Sequence, residues 1–186
     1  MAPRIAFSGP APKLILGIDI GTTFSGMSYC LLEPGRIPEI LPVTRFPAQD
    51  HIGGDSKVPS ILYYDQLGRV RACGAEALHE SVVEQAEEEC WQKAEWFKLH
   101  LRPATGVAIR EDSVPPLPAN KNALDVFADF LQYLFACAKA YIVDHYQNGN
   151  ARWIGLENTI EYVLTHPNGW SGSSSSRCET LLLSPG

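Results

Sequence analysis

The sequence predicts an α/β protein built on a mixed sheet, and three observations carry that prediction. Leu14 to Ile18 is a short apolar run with the branching of a buried strand, and Phe24 to Leu32 repeats the pattern after a Gly21-Thr22-Thr23 turn. Further strand patterns follow at Val58 to Tyr64, Val70 to Cys73 and Glu161 to Thr165. Between them, Leu124, Phe127, Leu131, Leu134, Phe135, Ala138 and Ile142 fall mostly at three- and four-residue spacing, the stripe of a helix that packs on a sheet.

In chain order, residues 1–12 are rich in proline, alanine and glycine and read as a disordered leader, followed by one domain over 13–170. The two opening strands form a hairpin, and Glu33-Pro34-Gly35-Arg36 is the turn that ends it. Glu39 to Phe46 reads as a third strand that Pro42 confines to an edge or a bulge. Pro47 to Lys57 is a polar loop, and a second hairpin turns around Asp65-Gln66-Leu67-Gly68. Glu76 to Leu101 reads as one long helix, with Glu87-Glu88-Glu89 solvated, Trp91, Trp96, Phe97 and Leu101 on its apolar side, and Arg102-Pro103 as its stop. The striped helix runs from Asn122 to Tyr146, and Gln147-Asn148-Gly149-Asn150 ends it. Residues 171–186, with Ser173-Ser174-Ser175-Ser176, have no periodicity and read as a disordered tail.

Composition narrows the function. The chain has 186 residues, 45% of them hydrophobic, which suits a soluble globular protein. A net charge of -6 without any basic run argues against nucleic acid or an anionic membrane as partner. No apolar stretch reads as long enough to span a bilayer. The five cysteines are scattered without C-x-x-C spacing, so neither a disulfide framework nor a zinc site is indicated, and a cytoplasmic setting follows. The five histidines have no metal-ligand spacing.

The chemistry points to the first hairpin. Successive N–H groups in a tight turn make a concavity for an anion, and glycine lets the backbone approach it closely. Asp19 beside that turn would repel a phosphate by itself, but Mg²⁺ between the two makes the arrangement attractive. The simplest ligand is therefore the phosphate end of a Mg-nucleotide. A Walker A loop is excluded because there is no lysine and the turn leads into a strand, and a dinucleotide fingerprint is excluded because no helix follows.

Gly17-Ile18-Asp19-Ile20-Gly21-Thr22-Thr23-Phe24-Ser25 resembles the first phosphate motif of the seventy-kilodalton heat-shock chaperones, of the actin, sugar-kinase and heat-shock ATPase superfamily. Val58-Pro59-Ser60-Ile61 with Gly74-Ala75-Glu76-Ala77 resembles the strand and helix start that follow it, and Glu161 to Trp170 the segment that crosses towards the second lobe. The resemblance implies the first lobe of an actin-like, ribonuclease H-like ATPase, incomplete because the second lobe, the second phosphate loop and the adenosine pocket do not follow. Apolar surface is then expected to lie uncovered near Trp153 to Trp170. It also implies ATP and Mg²⁺ as ligands, ATP hydrolysis driving chaperone-type conformational change, and client polypeptides or co-chaperones as partners of a full-length form.

By the same resemblance Asp19 sits near the magnesium and its waters, Gly21, Thr22 and Thr23 meet the β- and γ-phosphates, and Phe24 flanks the nucleotide. Lys98 is the lysine that reaches the γ-phosphate, and Pro167 matches a proline that in the family couples nucleotide state to domain movement, though without a second lobe it reads here as a strand terminator. Val163 to Pro167 and Phe97-Lys98-Leu99 depart from the chaperone pattern, which points to a divergent branch. Two alternatives stand beside this reading. One is a non-catalytic interaction module that binds no nucleotide, and the other a sugar or acetate kinase of the same superfamily.

Overall fold

The computed structural model describes residues 5–49, 56–101 and 114–165. It is α/β with a mixed sheet, as expected. Strands β1 (Lys13–Ile20) and β2 (Phe24–Leu32) pair antiparallel from Lys13 opposite Leu32 to Ile20 opposite Ser25. Strand β1 alternates strictly, with Leu14, Leu16, Ile18 and Ile20 buried on one face, so its register is fixed by which set enters the core. Strands β3 (Leu41–Pro42) and β4 (Val58–Pro59) share the outer edge of β2. The third strand is thus two residues long instead of the eight expected, and it sits at the edge that Pro42 requires.

The chain then changes sheets at Ser60. Strand β5 (Ile61–Tyr64) is the centre of a second, antiparallel sheet, flanked by β6 (Val70–Cys73) and β7 (Gln92–Glu95). Strand β7 corrects the expected long helix. Helix α1 covers only Glu80–Glu88, after a 3-10 turn at Gly74–Leu78, and a second 3-10 turn spans Phe97–Leu101. Three glutamates crowd the C-terminal end of α1, where the helix dipole disfavours negative charge, and the helix's last turn holds no basic residue. Cys90 then takes a left-handed backbone (φ 55°), Trp96 does the same (φ 54°), and the four residues of β7 pair with β5 instead.

Helix α2 (Ala123–His145) matches expectation to its caps. Asn122 accepts from the N–H groups of Leu124 (2.8 Å) and Asp125 (3.0 Å), and Asp125 accepts from the Asn122 N–H (2.9 Å), a reciprocal capping box. Contrary to the sequence reading, α2 has the length and composition of a bilayer-crossing helix. Here its apolar stripe, including Phe127, Phe130, Leu134 and Ala138, is buried in the core with the inward face of β1.

The chain does not stay irregular after α2. Asn148 turns it left-handed (φ 56°), and α3 (Gly149–Leu156) follows, a helix the sequence reading lacks. It buries Trp153 against Phe135, ring centroids 5.6 Å apart, so this tryptophan is core and not the exposed surface expected of it. Strand β8 (Glu161–Leu164) then pairs parallel with β1, which makes the sheet mixed. Val163 on β8 is 54% exposed, on a sheet face left uncovered by the described residues. Within the expected leader, Phe7 exchanges two backbone hydrogen bonds of 2.8 Å with Gly35 and Arg36. The tail at 171–186 and Pro167 lie outside the described residues.

Candidate functional site

The tip of the β1–β2 hairpin is Gly21-Thr22-Thr23, and a closed ring of hydrogen bonds shapes it. The Gly21 N–H donates to Ser25 Oγ (3.2 Å), and Ser60 Oγ donates to the Gly21 carbonyl (3.1 Å). With its proton so used, Ser60 accepts from Ser25 across 2.7 Å. Both serines are buried, and the Ser60 N–H donates to the Thr23 carbonyl (2.9 Å), which ties the tip to the crossover between the two sheets. Among the described residues, the hydroxyls of Thr22 and Thr23 have no hydrogen-bond partner. Thr22 is half-buried, Thr23 is exposed, and Phe24 is 53% exposed, so its ring stands beside the tip and outside the core.

Two lysines and a threonine from distant parts of the chain meet the hairpin. Lys98, carried by the 3-10 turn after β7, donates through Nζ to the Ile20 carbonyl immediately before the tip. Lys57 forms an ion pair with Asp19 Oδ2, and the Thr165 hydroxyl donates to Asp19 Oδ1 (2.9 Å). The expected site residues Asp19, Gly21, Thr22, Thr23, Phe24 and Lys98 therefore lie together. Lys57, Ser25, Ser60 and Thr165 belong to the same cluster and were not singled out by sequence. The Ser60 hydroxyl is the one signal that could have marked a role, because it sits in an otherwise apolar stretch.

Burial by itself raises the pKa of the Asp19 carboxyl. Hydrogen bonds from Lys57 and Thr165, with the charges of Lys57 and Lys98, outweigh it and hold Asp19 below its ordinary 3.8. A carboxyl depressed on folding stabilises the native state above its unfolded pKa, and the contribution is lost as pH falls through the lower folded value. Both partners of the pair are nearly half exposed, so solvent screening keeps the increment small. Thermal melts of the wild type should show this loss on acidification below about pH 4, and Asp19→Asn should lack that component.

Magnesium finds a poor direct ligand set here. Among the described residues, Asp19 is the carboxylate at the tip, and both its oxygens already hold protein partners. Among the described residues, no three His, Cys, Asp or Glu side chains come together as a metal site. An ion entering Asp19's coordination would stand beside the Lys57 ammonium, which repels it. Past Asp19 and Lys57 the exposed sheet face continues as an open, largely apolar groove of about 530 Å³, floored by Gly17, Ser28 and Val163. Compared with models of known protein families and with curated proteins, the chain finds no match.

Proposed function

We propose that the hairpin tip binds the phosphate end of ATP, in a chain of the heat-shock and actin-like ATPase type. The observation that carries the reading is the convergence of Lys98 on the Ile20 carbonyl, across 78 positions of sequence, beside Asp19 and the two threonines. A lysine held there supplies positive charge next to hydroxyl donors, the combination that stabilises a transferring phosphoryl group. Hydrolysis and chaperone-type movement, with client polypeptides or co-chaperones as partners, belong to the same proposal. They would require the groups that contact the base and ribose in that family.

The tip is open to water, so screening and solvent competition weaken each charged contact. Titration calorimetry of ATP into the purified chain should give a Kd on the order of 1 mM, about 4 kcal/mol, without turnover. Micromolar affinity with steady hydrolysis would mean that the chain rebuilds a closed cleft, and absence of any binding would refute the reading.

A further inference from the structure

We infer that Lys57 takes the place of the divalent cation at Asp19, so that the tip accepts a polyphosphate ester without metal. The inference rests on the nucleotide reading above and specifies how that site handles charge. A lone carboxylate beside a phosphate loop repels its ligand unless a cation stands between them. In this chain that cation is built in. The Lys57 ammonium sits on Asp19 Oδ2, and the Thr165 hydroxyl occupies Oδ1.

The position of Lys57 is fixed by its backbone. Its carbonyl accepts from the amide of Gln49 (2.8 Å), a side chain only 8% exposed. The preceding carbonyl, of Ser56, lies so close to Gly26 on β2 that a Cβ there would approach it to 2.5 Å. Lys98 adds a second ammonium near Asp19, at the Ile20 carbonyl. Among the described residues, two ammonium groups and one carboxylate meet at the tip.

Mg²⁺ gains little from this arrangement. It demands octahedral oxygen ligands and gives up its waters reluctantly. At Asp19 it would meet an ammonium already seated on the carboxylate, and the two like charges repel. A polyphosphate, by contrast, meets cations already held in place.

The test is calorimetric titration of ATP into the wild-type chain in EDTA and in excess MgCl₂, with Lys57→Gln run in parallel. The wild type should bind with affinities that agree within about twofold between the two conditions. Lys57→Gln should bind about tenfold more weakly in EDTA and regain affinity with MgCl₂, which the vacated carboxylate then holds. Wild-type binding that appears only with magnesium would overturn the inference and leave the nucleotide reading intact. So would a Lys57→Gln chain that binds normally in EDTA. No binding in either condition would overturn both. The wild-type comparison needs no variant, so the outcome does not hang on whether Lys57→Gln folds.

Discussion

Replacing Phe97 by alanine is expected to lower the free energy of unfolding by about 3–5 kcal/mol, the usual cost of emptying a fully buried phenylalanine site. Phe97 is 0% exposed and packs tilted against Phe130 (5.6 Å) and edge-on to Phe127 (6.5 Å), so the cavity would open between the 3-10 turn and α2. The next residue is Lys98, and the same packing holds its ammonium at the hairpin. Phe97→Ala should therefore weaken ATP binding as well as stability, while Phe97→Leu should keep much of both. Urea denaturation with an unchanged m-value, read beside an ATP titration, checks the pair of effects. A loss under about 1 kcal/mol would mean that the turn is not anchored by this ring.

The second large effect is expected at Gly21. A Cβ there would fall inside the van der Waals envelope of the Phe24 carbonyl oxygen, which is backbone and cannot swing aside. Gly21→Ala should open the tip and break the ring through Ser25 and Ser60. The expected cost is about 1–3 kcal/mol, as for other forced overpacking, together with loss of detectable ATP binding. Gly155→Ala is the control, because among the described residues nothing lies within 4 Å of its Cβ position and alanine suits the interior of α3. Calorimetry and thermal melts on the two variants separate a local steric effect from a general intolerance of alanine.

The hairpin and α2 were legible because local signals and tertiary packing agree there. The apolar run Leu14 to Ile18 marks a strand, which the structure buries on alternate residues, and Asn122 with Asp125 closes a capping box where the apolar stripe begins. The residues of 76–101 misled because their composition favours helix while partners far away decide the outcome. Nothing local marks Gln92 to Glu95 as a strand until β5 offers its edge, and the bends at Cys90 and Trp96 use left-handed backbone without glycine. Helix α3 was hidden by the turn at Asn148 and Gly149, which ends one helix and starts the next. Of the candidate site, the tip residues were named by the Gly21-Thr22-Thr23 turn together with the resemblance of that stretch to a phosphate motif. The ring through Ser60 and the pairing of Lys57 with Asp19 arise only when the crossover between sheets folds over the tip.

The most direct test of the central claim follows the backbone amides by NMR as ATP is added. Binding at the hairpin predicts that the largest shifts fall on Gly21, Thr22 and Thr23, followed by Lys57 and Lys98, and that all saturate together at millimolar ATP. Shifts concentrated elsewhere, for example on the face formed by Arg45, Tyr141 and Asp144, or no shifts at the tip at saturating ATP, would contradict it.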